Sequence, residues 1–213
     1  MTSGNFLALG QTYDVPLIQK SRLRGMQQKY ADFLDNVYDK FQDLQKIPPT
    51  DTFDFFRLSL EELTNKGYFN FENSSKKPLK RISLLIENYA KKNKTPLLAT
   101  FETQAKFKFA EDRYIDLMKE IPKVWVIADF NNPFLAQEFP PNAQTISCSG
   151  TNISTIWAVI TKGPAGPMGL VAEELVDGTY KGFFSVSPKI VQEVIDQINT
   201  ILRRDIDVTK VPE

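Results

Sequence analysis

The residues that could carry chemistry are few in this chain, and the absences among them are the most informative. There is no histidine in 213 residues and one cysteine, Cys148. Without an imidazole, Ser-His-Asp and Cys-His catalysis within the chain are excluded, and so are His-ligated zinc, haem and non-haem iron sites. Carboxylates remain as the main metal option, for Mg²⁺ or Ca²⁺, and no EF-hand spacing is present. No metal-ligand set is assigned and the cofactor is left unknown. The missing histidine sets the expectation that the chain is not an enzyme. A lone cysteine cannot close an internal disulfide, which fits a reducing cytoplasm.

Four groups remain to be weighed. Gly163-Pro-Ala-Gly-Pro-Met-Gly169 is the nearest approach to a phosphate loop. A Walker loop needs a lysine directly after its last glycine, whereas here Lys162 precedes the glycines and two prolines remove amide donors. A rigid strand-to-helix turn is the simpler reading. Glu173 and Glu174, with Asp177 and Asp129, could form an acid/base or Mg²⁺ group. Adjacent carboxylates on a helix point about 100° apart, so surface charge explains the pair more simply. Cys148 could be a redox thiol, but with no histidine to activate it, it reads as a small buried hydrophobe. Trp125 and Trp157 lie in two apolar runs and could line a ligand pocket with Phe101, Phe130, Phe183 and Phe184, with Asp129 as its one carboxylate; core packing is the alternative. By strand alternation Trp125, Ile127 and Asp129 share one face.

The elements that must position these residues follow from composition and period. Hydrophobic residues are 42% and charged residues 24%, with 26 basic against 26 acidic side chains. These values argue for a folded chain with no global charge footprint for DNA or anionic membrane, and no apolar run suits a membrane span. Leu17 to Ile47 is expected as a helix, with a near-heptad stripe that includes Tyr30, Phe33, Val37 and Phe41. That stripe packs on its own domain or binds a partner or second copy. Pro48-Pro49 ends it, and Ser59-x-x-Glu62 has the form of a capping box. Six aromatics between Phe53 and Phe71 suggest an interaction surface or a small core. Asn73–Pro78 is the expected domain boundary, and the basic cluster Lys76, Lys77, Lys80 and Arg81 reads as a solvated helix start.

Beyond that boundary the pattern predicts helices over 82–92 and 110–121 and strands over 97–101 and 124–130, which form a parallel βαβ unit. Val124–Phe130, apolar but for Asp129, is expected as the central strand. Thr145–Cys148 and Ser154–Thr161 suggest a hairpin, 167–176 a short helix and 180–186 a further strand. Ser187-Pro188 marks the start of the last helix, and the tail from Asp205 is expected to fray. The class is α/β (α+β): a small mixed sheet of about four to five strands with about four helices, after a helical extension.

The order of elements from about Ile82 to Arg204 resembles the DICT sensory domain, a bacterial signalling family frequent in cyanobacteria. The phrases that carry the likeness are Leu97-Leu-Ala-Thr-Phe101, Tyr114-Ile-Asp-Leu117, Val124-Trp-Val-Ile-Ala-Asp129, Trp157-Ala-Val-Ile160, Gly169-Leu-Val-Ala-Glu-Glu-Leu175 and Tyr180-Lys-Gly-Phe-Phe184. They are hydrophobic and bring no catalytic motif, so no catalytic residue is carried over. The resemblance implies a sensory or interaction role, with a suggested part in light responses, in a module fused elsewhere to signalling output domains. The expected division is a helical extension over 1–75, a sensory domain over 76–206 and a flexible tail over 207–213. The expected function is non-enzymatic signal transduction in the cytoplasm. The domain senses a small ligand or light-linked cue, or docks a partner. Output runs through the N-terminal helices to other signalling proteins or a second copy. A chromophore-binding photosensor and a carboxylate-based Mg²⁺ enzyme are the alternatives.

Overall fold

A computed structural model describes residues 32–131 and 139–210. Two short helices, α1 (Asp32–Lys40) and α2 (Gln42–Gln45), end before Pro48-Pro49. A 3₁₀ turn (Thr52–Arg57) leads to α3 (Leu60–Lys66), which opens with the expected capping box. Ser59 Oγ accepts from the Glu62 N–H at 3.2 Å, and the Glu62 carboxylate accepts from the Ser59 N–H at 2.7 Å. The chain continues through β1 (Tyr68–Ser74), α4 (Lys76–Asn93), β2 (Leu97–Thr103), α5 (Gln104–Lys108), α6 (Glu111–Glu120), β3 (Val124–Asp129) and β4 (Ala143–Ser147). It ends with β5 (Ile156–Gly163), β6 (Gly166–Glu174), β7 (Tyr180–Ser185) and α7 (Pro188–Leu202).

The strands form one mixed sheet of seven, in the order β1-β7-β6-β5-β2-β3-β4, larger than the expected four or five. β2 and β3 are parallel, with Leu98 opposite Trp125, as the βαβ reading predicts. Two strands account for the enlargement. Phe69 and Phe71 alternate inward on Tyr68–Ser74, which becomes an edge strand antiparallel to β7. Residues 167–176, expected as a helix, fall mostly in β6 (Gly166–Glu174), between β5 and β7. Its middle residues are buried on both faces, so they lack the alternation that marks a half-exposed strand. The glycine-rich segment is the hairpin turn between β5 and β6, with Gly163 opposite Gly166.

The expected hairpin of Thr145–Cys148 with Ser154–Thr161 does not form. β4 instead lies parallel to β3 at the sheet edge, and β5 pairs with β2 on the far side. Val124–Asp129 is therefore second from one edge, and β5 occupies the middle. The sheet changes from parallel to antiparallel pairing at β2.

Each face carries its own core. On one, Val124, Val126, Trp157, Leu170 and Phe184 pack with Leu79, Ile82 and Ile86 of α4 and Tyr114 and Leu117 of α6. On the other, Trp125, Ile127, Ile160, Val171 and Phe183 pack with Val191, Val194, Ile195 and Ile198 of α7. Phe55 stacks on Phe69 at 4.1 Å between centroids and Phe69 on Phe184 at 5.3 Å, so most of the aromatic segment is core, while Phe53 is 71% exposed. Phe33 and Val37 are fully buried in the α7 layer and Phe41 packs half-buried against it. Lys40 bonds to Glu193 of α7 at 2.6 Å. This part of the stripe packs on its own domain; Tyr30 and the expected helix before residue 32 lie outside the described residues. Asn73–Pro78, the expected boundary, leads from β1 directly into α4, so residues 68–74 belong to the same sheet as the rest.

The start of the tail is tied down at Ile206 and Val208. Asn199 bonds both the N–H and the carbonyl of Ile206, at 2.8 and 2.9 Å, and Ile206 and Val208 are buried in the α7 core. No helix among the described residues is long and apolar enough to cross a membrane.

Close strand packing makes Gly169 a sensitive position. An added Cβ there would stand 2.6 Å from the Val159 carbonyl oxygen, a backbone atom that cannot swing aside. Gly169→Ala is expected to cost about 2–3 kcal/mol, lowering the urea midpoint at unchanged slope; an unaltered midpoint would contradict this packing.

Candidate functional site

A cavity of about 330 Å³ opens on the α4 face of the sheet. α4 builds one wall. Its apolar residues Leu79, Ile82, Ile86 and Ala90 face the sheet, and Lys76, Lys80, Ser83 and Glu87 follow at helical spacing along the adjoining stripe. The sheet supplies the floor through Phe101, Trp157 and Tyr180, with Trp157 edge-on to Tyr180 at 5.6 Å between centroids. α5 and α6 close the far side with Lys106, Ala110 and Arg113, and Phe109, 89% exposed, stands at the mouth.

The most unusual residue here is Glu102. Four non-glycine residues among those described have positive φ, and two of these, Lys94 and Arg203, terminate helices. Glu102 sits inside a strand at φ 52, where the β2–β3 register shifts between Thr100 and Thr103. A left-handed non-glycine residue costs on the order of 1–3 kcal/mol and persists only where its surroundings hold it. They do so through Thr100, whose hydroxyl donates to the Ile156 carbonyl at 2.5 Å and accepts from the Ala158 N–H at 2.7 Å. Just beyond, Thr103 caps α5 by accepting from the Lys106 N–H at 3.3 Å.

The kink places the Glu102 carboxyl, 3% exposed, at the cavity wall. Burial pushes its pKa up to about 7, against the pull of the Lys106 ammonium 3.0 Å away. Lys106 also bonds Glu174 at 2.5 Å, and Tyr180 donates to Glu174 at 3.4 Å. Burial works to lower the lysine's pKa, but Glu102 and Glu174 together hold it above the ordinary range. Glu87 is the second buried carboxylate. It accepts from Arg113 Nε and Nη2 at 2.8 and 3.3 Å and from the Tyr114 hydroxyl at 2.9 Å. Burial nevertheless outweighs the arginine and raises its pKa.

Of the expected pocket residues, Trp157 and Phe101 reach this cavity, while Phe130 and Phe184 pack in the core on the same face without lining it. Trp125 and Phe183 belong to the α7 core, and Phe183 packs fully buried against Tyr38 and Tyr68. Asp129, half-buried at the end of β3, is not among the lining residues. The two tryptophans separate because β3 and β5 present them to opposite sides of the sheet. Glu173 and Glu174 likewise diverge on neighbouring strand positions, Glu173 to Lys181 at 3.2 Å and Glu174 to Lys106. With Asp129 they make no joint site, and among the described residues no group of three or more His, Cys, Asp or Glu could hold a metal ion. Cys148 is buried beside the Glu102 carbonyl, and burial pushes its thiol up to about 12, which keeps it protonated and unreactive near neutral pH.

The basic cluster that read as a solvated helix start divides between two roles. Lys76 and Lys80 line the cavity, while Arg81 turns toward the Leu58 carbonyl at 3.4 Å. The spacing Lys76-x₃-Lys80-x₂-Ser83-x₃-Glu87 was the available signal for this wall. No family model, curated protein or solved structure matches the chain.

The raised Glu102 pKa ties stability to pH with a definite sign. The folded state holds this proton more tightly than the unfolded chain, so the group's contribution is full below about pH 4.5 and is lost as pH rises through about 7. Relative to Glu102→Gln, the wild-type unfolding free energy should fall by roughly 3 kcal/mol over that window. Urea unfolding across pH reads the difference, and parallel profiles would mean that the carboxyl is not perturbed.

Proposed function

We propose that this chain is a non-enzymatic signal-transduction protein whose α/β domain binds a small ligand in the cavity between α4, α5, α6 and the sheet. The carrying observation is Glu102, a buried carboxyl held in a strained backbone conformation against an open, aromatic-floored cavity. Strain and a perturbed buried acid at the wall of a cavity are the combination by which binding sites depart from ordinary packing. The likeness of residues 82–204 to DICT sensory domains supports the same reading and adds a bacterial cytoplasmic signalling context.

Output would pass to another signalling protein or a second copy through the N-terminal segment. Phe33 and Val37 are committed to the α7 core, so a partner would meet the polar side of α1, where Asn36, Asp39 and Lys40 lie, and the residues before it. A chromophore is the second reading, favoured by the aromatic floor of the same cavity.

Protein isolated from its own cells without denaturation should carry a mass excess in native mass spectrometry that unfolding removes. A ligand-free mass, with no thermal shift from any member of a small-molecule library, would overturn the ligand reading. An absorption band beyond the aromatic region would select the chromophore, and a spectrum without one would remove it.

A further inference from the structure

The polar groups of the cavity are not equally committed. Both oxygens of Glu87 are taken by Arg113 and Tyr114, and Lys106 is held between Glu102 and Glu174. Lys76 and Lys80, one helical turn apart at the mouth, make no ion pair or hydrogen bond among the described residues. Between them and the floor lies Ser83, 2% exposed on the cavity wall, whose hydroxyl has no hydrogen-bond partner among the described residues. A buried hydroxyl without a partner is uncommon, and this one belongs to a residue of the cavity lining.

Charge and shape then define what fits. The lining carries four cations, Lys76, Lys80, Lys106 and Arg113, against two carboxylates. Burial keeps Glu102 partly protonated near neutral pH, which weakens its repulsion of an anion, while Lys106, Lys76, Glu174 and Tyr180 face it from α5, α4, β6 and β7. α4 has no acidic residue in its first turn, so its N-terminal dipole adds to the positive field. Phe101 and Trp157 offer apolar ring surface, and Phe109, also in the lining, is exposed. The volume lies near the lower end of ligand pockets, which suits one or two fused rings.

We propose that the cavity takes a small flat apolar molecule with an anionic head. The ring lies over Phe101 and Trp157, the carboxylate or phosphate sits between Lys76 and Lys80, and Ser83 donates to it. This rests on the ligand-binding reading and specifies its chemistry.

The test uses naphthalene carboxylate, naphthyl phosphate and the neutral naphthalene carboxamide as probes. In a Trp125→Phe background the remaining indole is Trp157, so its fluorescence reports occupancy of this cavity. At least one anion should bind ten-fold or more tighter than the carboxamide. Lys76→Met with Lys80→Met should abolish that preference, and Ser83→Ala should weaken the anion by roughly five-fold. Lys77→Met, on the same helix but outside the cavity, should change nothing. The two anions separate a carboxylate site from a phosphate site.

Equal binding of the neutral probe would overturn the anionic assignment and leave the ligand reading intact. A preference that survives loss of both lysines would overturn it as well. Failure of both anions to bind would also overturn it, while the native mass measurement judges the ligand reading independently.

Discussion

A wide sheet buried on both faces needs two separate apolar layers, and that requirement organises this molecule. The strands β5, β6 and β2 at its middle are buried on both sides, so neither layer can be dispensed with. α4 and α6 cover one face and α7 with α1 the other. Each fully buried aliphatic or aromatic side chain contributes about 1.5–3 kcal/mol relative to exposure, so the second layer is a matter of stability as much as shape. The N-terminal segment and the tail at Ile206 and Val208 are drawn into the fold for the same reason.

The cavity lies where the first layer is incomplete. α4 meets the sheet along its apolar stripe, and its polar stripe touches α6 only where Glu87 bonds Arg113 and Tyr114, leaving a gap toward α5 beside Lys76, Lys80 and Ser83. Into that gap β2 turns a carboxyl by adopting a left-handed residue just after its pairing with β5 ends. The Thr100 hydroxyl substitutes for ladder hydrogen bonds at that point by taking up the Ile156 carbonyl and the Ala158 N–H of β5. The cost of placing Glu102 and Glu87 in low dielectric is offset by Lys106, Arg113 and Tyr114 without being cancelled, which is why both acids hold their protons above the usual carboxylate range. Strain and two buried carboxyls thus meet at one wall, while on the opposite face the buried carboxylate Glu173 is paired with Lys181 of the neighbouring strand.

How far the sequence could be read depended on whether a signal was local. The capping box at Ser59, the buried run at Val124–Asp129, the parallel β2–β3 unit and the start of α7 at Pro188 all announce themselves within a few residues. Residues 166–174 did not, because a strand with neighbours on both sides and cores on both faces loses its alternation. The site was legible in pieces. Trp157 and Phe101 read as pocket-lining residues and the lysines of α4 as a basic cluster, but the pattern groups Trp125 and Phe183 with Trp157 although the sheet separates them.

By itself, then, the sequence determined the mixed α/β class, most of the element boundaries, and, through its missing histidines, the exclusion of imidazole chemistry. These follow from residue type and short-range spacing, which the folded chain cannot alter. Only the tertiary structure decided strand order, the face each tryptophan occupies and the meeting of Ser83, Glu102 and Lys106 around one cavity. Those depend on which distant strands pair and where a bulge shifts the register, and pairing energy is shared among residues far apart in the chain, so no local stretch records it.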